Sequence, residues 1–140
     1  MPLIESILAE SAEVTAIRRD LHAHPELCFE ELRTSDLIAK ALVDWGIPVV
    51  RGLGRTGVVG IVKQGESKRA IGLRADMDAL PVTEHNRFAH ASRHPGKMHA
   101  CGHDGHTAML LAAAKHLAKH RHFDGTVVLI FQPAEEGGGG

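Results

Sequence analysis

The sequence predicts an α/β fold in which a partly parallel mixed sheet is flanked by helices. Strand-like segments alternate with helical ones, which is the pattern of this fold class. The last strand-like segment, TVVLIF at 126–131, is a continuous apolar run typical of a strand buried on both faces. The chain has 140 residues, of which 44% are hydrophobic and 24% charged, and this suits one domain with a core.

Apolar residues at steps of three and four predict three helices. They cover residues 3–22, 30–45 and 104–120. The first helix ends at His24-Pro25, because the residue before a proline is pushed out of the helical region. Gly46 ends the second helix. The third has its strongest signal from Ala108 onward, where alanine and leucine dominate.

Three further strands precede the apolar run. They are predicted at 48–51, 57–63 and 70–74. The segment 64–67, Gln-Gly-Glu-Ser, favours a hairpin loop between the second and third of them. Residues 76–102 show little periodicity, and a loop of that length in a compact domain is usually functional or disordered.

Composition excludes several classes of partner. The formal net charge is −1 and no run of Lys and Arg occurs, so no nucleic acid or anionic membrane is expected as a partner. No apolar stretch approaches the roughly 20 residues of a membrane span. The start of the chain is acidic where a signal peptide is basic, which predicts a cytoplasmic protein with Cys28 and Cys101 reduced.

Paired carboxylates follow two of the predicted strands. Asp76 and Asp78 come after AIGLRA, and Glu135 and Glu136 come after TVVLIFQP. Ligands gather at the carboxyl ends of strands in sheets of this kind, so all four are expected at one edge. Each pair also has an ordinary explanation: aspartates commonly form turns at strand ends, and adjacent glutamates are common on exposed segments.

Histidine is the most unusual feature of the composition, with 11 in the chain, six of them between His85 and His106. Within this segment Cys101-Gly102-His103 brings together a thiol and an imidazole, the ligand types that zinc and similar ions prefer. Gly102 permits the tight turn that lets both reach one ion. The alternative is a helix entry in which Asp104 or Thr107 acts as the cap.

Four ordered segments together resemble a known enzyme family. They are RRDLHAHPELCFEELRTS, GLRADMDALPVTE, MHACGHDGHTAMLL and GTVVLIFQPAEEGGGG. They are similar to the metal-dependent amidohydrolases that include hippurate hydrolase, N-acyl-amino-acid amidohydrolases and the plant indole-acetyl-amino-acid hydrolases. The resemblance extends from Ile17 to Gly140 and implies a zinc-exopeptidase-like catalytic domain.

The resemblance assigns roles to individual residues. It implies that Cys101, His103 and Glu136 are metal ligands and that Glu135 is the general base and acid. It gives Asp78 an orienting or structural role beside Asp76. His22, His24 and His106 also belong to the family pattern, which assigns them no chemical step.

The activity implied is hydrolysis of the amide bond of N-acyl amino acids, such as hippurate or N-acetyl substrates. The cofactors implied are two divalent metal ions, with zinc, manganese, cobalt or nickel as candidates. A small-molecule substrate and a homo-oligomeric full-length protein are implied as well. A thiol hydrolase using Cys101 is the rival enzyme class, although it does not need the neighbouring glutamate pair.

The resemblance also implies parts that these residues do not include. Family members carry further histidine ligands after the glutamate pair and a smaller dimerisation or lid domain. We therefore expect residues 1–140 to be the N-terminal portion of an incomplete catalytic domain. The alternative function is a catalytically inactive fragment with at most partial metal binding, because three ligands under-coordinate a two-metal site.

Overall fold

The computed structural model describes residues 4–139, which form four helices and four strands. The helices are α1 (Glu5–Leu8), α2 (Ser11–Ala23), α3 (Leu32–Asp44) and α4 (His103–Lys119). The strands are β1 (Val49–Leu53), β2 (Gly57–Gln64), β3 (Ala70–Asp76) and β4 (Gly125–Gln132). The predicted α/β class, a mixed sheet flanked by helices, is confirmed.

The sheet has the strand order β1-β2-β4-β3. β2 runs antiparallel to both β1 and β4, whereas β3 runs parallel to β4. The hairpin predicted between β2 and β3 is therefore wrong, because β4 lies between them. β4 is the most apolar strand and takes a position with neighbours on both sides. The chain passes from β3 through α4 to β4, which is the crossover connection that a parallel pair of strands requires.

One face of the sheet is covered by α3 and α4. The fully buried residues between these layers come from both helices and from β2 and β4; they include Ile38, Leu42, Val58, Leu111, Leu129 and Phe131. α2 packs against the outer side of α4. This packing fixes α4 over the sheet, so its first turn lies at the edge where β3 and β4 end.

The other face of the sheet is only partly covered. Along β4 the buried residues alternate with half-buried ones, so the expectation that TVVLIF is buried on both faces is wrong within the described chain. Apolar side chains continue across this second face, including Ile61, which is 37% exposed, and Val50, which is 47% exposed. The apolar run reflects a central strand whose second face lacks a full covering layer here.

The helix boundaries differ from the prediction in detail. The first predicted helix is divided into α1 and α2 by a turn at Ala9 and Glu10, and Leu3, its predicted start, lies outside the described residues. α4 begins one residue earlier than expected, after Gly102 in a left-handed conformation with φ +90°. Neither Asp104 nor Thr107 caps it, because both side chains bond elsewhere.

Among residues 4–139, every helix is too short or too polar to span a lipid bilayer.

Candidate metal centre

The candidate site lies where β3, β4 and α4 meet. β3 and β4 are parallel neighbours, so Asp76 at the end of β3 is level with Gln132 at the end of β4. His103, the first residue of α4, comes to the same edge. The sequence-based expectation that both carboxylate pairs and His103 share one sheet edge is therefore confirmed in the geometry.

His103 is the centre of this arrangement, with a side chain that is 2% exposed. Its Nδ1 lies 2.9 Å from the backbone oxygen of Asp78 and 3.2 Å from Asp78 Oδ1. Both partners are acceptors, so Nδ1 carries the proton and donates it. In the neutral ring, Nε2 therefore holds the lone pair, which is directed to the other side of the ring.

Three carboxylates surround that second nitrogen at distances longer than hydrogen bonds. His103 Nε2 lies 3.5 Å from Asp76 Oδ1, 3.7 Å from Glu136 Oε1 and 3.8 Å from Glu135 Oε2. A lone pair facing three anionic oxygens is unfavourable unless positive charge lies between them. Glu136 Oε1 is moreover buried and has no hydrogen-bond partner.

These residues fit a divalent cation. The ligand atoms of Cys101, His103 and Glu136 all lie within 4.8 Å of one another, and so do those of Asp76, His103 and His106. Thiolate, imidazole and carboxylate are the donor types that bind zinc and its neighbours. The unpaired Glu136 oxygen and the free His103 Nε2 belong to the same group, so a cation there would satisfy both.

Cys101 is exposed and not part of a disulfide. The neighbouring Glu136 carboxylate raises the pKa of Cys101, because it favours the protonated thiol over a thiolate that would face its negative charge. Partial loss of solvent and the charges of Glu135 and Asp76 raise the pKa further. Without a cation, Cys101 is therefore a poor thiolate nucleophile, whereas a bound divalent ion would displace its proton.

Asp78 connects the two halves of the site, and its side chain is fully buried. Oδ1 accepts from His103, while Oδ2 accepts from the backbone N–H of Glu136 at 2.9 Å and from the Cys28 thiol at 3.2 Å. Asp78 therefore contacts one candidate ligand and the backbone of another, and its orienting role stays a prediction. Sequence reasoning missed Cys28, because a single cysteine with no ligand spacing gives no signal.

The glutamate pair is held by a second residue that the sequence did not reveal. Glu31 is fully buried, and its carboxylate accepts from the backbone N–H of Ala134 at 2.9 Å and from Thr56 Oγ1 at 2.6 Å. Ala134 has a left-handed backbone with φ +55°, which is unusual for a residue with a Cβ. The buried bond to Glu31 stabilises this turn, which directs Glu135 and Glu136 to the sheet edge.

His22 belongs to a buried ionic network beside the site. Its Nδ1 lies 2.8 Å from Asp104 Oδ2 and its Nε2 3.2 Å from Glu84 Oε1. Arg18 Nε also donates to Asp104, at 2.8 Å. The network joins α2, the loop 77–102 and the first turn of α4. His22 therefore supports the segment that carries Cys101 and His103, without contact to either carboxylate pair.

The remaining family-pattern histidines are placed differently. His106 Nδ1 contacts Asp76 Oδ1 at 2.7 Å, so His106 joins the candidate site. His24 contacts the backbone oxygen of Asp20 within its own helical segment. His99, in the loop, has both ring nitrogens buried without partners, and burial lowers its pKa to about 4.

The fold and part of the sequence both match one family of peptidases. Over 92% of this chain, the fold superimposes with a TM-score of 0.88 and 43% identity on the Bacillus subtilis YXEP protein, described as a dinuclear metal binding peptidase from the M20 family. The match covers 37% of that protein. Residues 72–140 match the model of peptidase family M20/M25/M40. Over residues 72–140, the chain therefore has the sequence pattern of this family.

Two curated relatives are similar to the chain along most of its length. The chain is 51% identical to a hippurate hydrolase of Campylobacter jejuni over 140 residues, all of this chain and 36% of that protein. It is 54% identical to the Arabidopsis thaliana IAA-amino acid hydrolase ILR1-like 2 over 134 residues, 92% of this chain and 30% of the relative. The chain thus spans about a third of the length of these curated relatives.

Proposed function

We propose that the protein hydrolyses the amide bond of N-acyl amino acids in a metal-dependent reaction. The observation that carries this proposal is the convergence of Asp76, Glu135 and Glu136 on the free Nε2 of His103, with Cys101 within ligand distance. The names of the relatives point to hippurate and to indole-acetyl amino acids as substrate models.

In this proposal Cys101, His103 and Glu136 hold divalent metal, and the full site binds two ions, with zinc, manganese, cobalt and nickel as candidates. Such ions supply Lewis acidity that polarises the scissile carbonyl and makes water more acidic. Asp78 keeps the proton of His103 on Nδ1, so Nε2 stays available as a ligand. Asp76, which also lies near His103 Nε2, and its neighbour His106 provide further donors.

In this proposal Glu135 is the residue that moves protons. Its side chain is 42% exposed, whereas Glu136 is 21% exposed, so Glu135 is the member of the pair that substrate and water reach more easily. In the proposed reaction its carboxylate accepts a proton from the attacking water. The resulting carboxylic acid then gives that proton to the amine nitrogen of the departing amino acid.

We also propose that residues 1–140 form the N-terminal portion of a larger catalytic domain. The chain's share of its relatives, 36% of the hippurate hydrolase, supports this, as does a site with few protein ligands. Further ligands and a lid or dimerisation domain would then come from elsewhere in the protein. The full-length protein is proposed to be a cytoplasmic homo-oligomer acting on small molecules.

The decisive assay is hydrolysis of hippurate, N-acetyl amino acids and indole-acetyl alanine by the full-length protein, before and after chelation. We expect the chelator to abolish turnover and manganese, cobalt or zinc to restore it. Activity that survives chelation but is lost on thiol alkylation would contradict the proposal and support a Cys101 nucleophile instead.

Cys101→Ser is expected to lower metal occupancy, because a neutral hydroxyl replaces a soft anionic ligand. Cys28→Ser is the matched control: the serine hydroxyl still donates to Asp78, and no metal loss is expected. Metal content after dialysis against a weak chelator measures both. Equal losses in the two variants would indicate general destabilisation rather than loss of a ligand.

Asp78→Asn is expected to weaken metal binding by about 10–100-fold, the usual effect of losing a partner that orients a histidine ligand. The amide can present an NH₂ group to His103, which competes with the Nδ1 proton and disturbs the tautomer. Competition with a chromogenic chelator gives the affinity. Unchanged affinity in a folded variant would show that Asp78 does not orient His103.

A further inference from the structure

A second group of histidines lies at the far end of α4 from the candidate metal centre. His116 and His120 are one helical turn apart near its C-terminus, and His122 follows in the loop before β4. α4 has 17 residues, so its two ends are about 25 Å apart. These three histidines therefore share no ligand with Cys101, His103 or Glu136.

The spacing of the rings suits chelation by two of them. The ring centroids of His116 and His120 are 4.7 Å apart. Two imidazoles bound to one tetrahedral zinc ion have centroids about 5 Å apart, given the usual metal–nitrogen distance. The pair is thus close to the spacing that a shared ion requires. The His120–His122 separation is 6.3 Å, so the exposed His122 ring must turn inward to become a third ligand.

A hydrogen bond between Ser6 and His116 orients the His116 ring for metal binding. Its Nδ1 is 3.2 Å from Ser6 Oγ, which orients the ring and leaves Nε2 as the nitrogen free to bind. The backbone N–H of His120 donates to the backbone oxygen of His116 at 2.8 Å, which keeps the two residues on successive turns of one helix face. Histidines four residues apart on a helix are a known chelating arrangement.

The surroundings favour a cation over an anion. The histidines line an open groove of about 500 Å³ together with Asp124 and Arg69. The groove lies at the C-terminal end of α4, where the helix dipole is negative. Asp124 adds a carboxylate whose Oδ1 accepts from the Ser67 N–H at 2.9 Å. Arg69 is the opposing charge, and its Nε donates to Ser67 Oγ at 3.4 Å.

We propose that His116, His120 and His122 form a surface site for a borderline divalent ion such as Zn²⁺ or Ni²⁺, separate from the candidate metal centre. Imidazole suits these ions, and a site open to solvent retains water in its remaining positions. Its occupancy would not depend on amide hydrolysis, so this inference is independent of the proposed function.

The test uses the chain without an affinity tag, with Zn²⁺ in equilibrium dialysis and retention on immobilised Ni²⁺ as readouts. We expect His120→Ala to lose one equivalent of bound Zn²⁺ and to elute earlier from the Ni²⁺ column. His85→Ala, which removes an exposed histidine elsewhere, is the matched control and should change neither. Both results should persist in a Cys101→Ser background, which separates this site from the candidate metal centre.

His122→Ala provides a second variant three residues beyond the end of α4, so a folding defect at the end of the helix cannot mimic the result. It should weaken Zn²⁺ binding while leaving the far-ultraviolet spectrum unchanged. Full retention of Zn²⁺ by both His120→Ala and His122→Ala would overturn the proposal. So would an equal loss in His85→Ala, which would mean that any exposed histidine accounts for the binding.

Discussion

Glu135→Gln in the full-length protein is expected to keep the fold and the bound metal but to lower kcat by about 10²–10⁴-fold. Glutamine has nearly the same size as glutamate and cannot accept a proton from water. Glu135 is the more exposed of the adjacent pair, and its Oε2 is 3.8 Å from His103 Nε2, beyond hydrogen-bond distance. Its replacement should therefore remove proton transfer without disturbing the buried contacts of Asp78.

The controls for this experiment separate proton transfer from charge. Glu66→Gln removes the same charge from an exposed loop and should leave kcat unchanged. Metal analysis of Glu135→Gln should match the wild-type protein, whereas Glu136→Gln should lose metal. If Glu135→Gln turned over at a rate near that of the wild-type protein, Glu135 could not be the general base.

The fold was largely accessible from the sequence because local patterns agree with it. Apolar periodicity located α3 and α4 within two residues of their bounds, and the apolar run located β4. The order of the strands in the sheet could not be predicted from such local patterns. The segment 64–67 has the composition of a hairpin loop, yet β4, about 60 residues further on, pairs with β2 instead. Which strands pair over a long range depends on burial across the whole sheet. A local turn signal carries no information about that burial.

The residues of the candidate site also fall into those that the sequence predicts and those that it does not. Cys101, His103 and the two carboxylate pairs could be predicted, because their chemistry and their positions at strand ends are visible in the sequence. Cys28 and Glu31 could not. Each acts through contacts between distant segments, Cys28 with Asp78 and Glu31 with Ala134 and Thr56, and no spacing rule links residues so far apart.

Residues 1–140 alone are expected to show no measurable amide hydrolysis, although they should fold. At the candidate metal centre, the described residues form two groups that could hold an ion; each contains three protein ligands and both share His103, which is too few for two ions. Cys101 and Glu135 are also open to solvent, so nothing excludes water from the reacting atoms. The assay is hydrolysis of hippurate and N-acetyl amino acids after loading with zinc, cobalt or manganese.

The same 140 residues are expected to self-associate through the second face of the sheet, which is apolar and only partly covered. Its side chains come from three adjacent strands; they are Val50, Val59, Ile61, Val128 and Ile130. β3 is moreover an edge strand, and unpaired edges favour pairing between chains. Contiguous apolar surface of this kind is usually an interface or a site of aggregation.

Sedimentation across a range of concentrations measures this association, and Ile61→Lys tests its location. Ile61 is 37% exposed at the centre of the second face, so a lysine there should shift the chain towards monomer without unfolding it. Lys68→Glu, in the exposed loop between β2 and β3, is the control and should leave the association unchanged. A wild-type chain that is monomeric at every concentration and hydrolyses hippurate with added metal would contradict both expectations. Residues 1–140 would then contain a complete active site, and the proposal that further ligands come from elsewhere in the protein would be withdrawn.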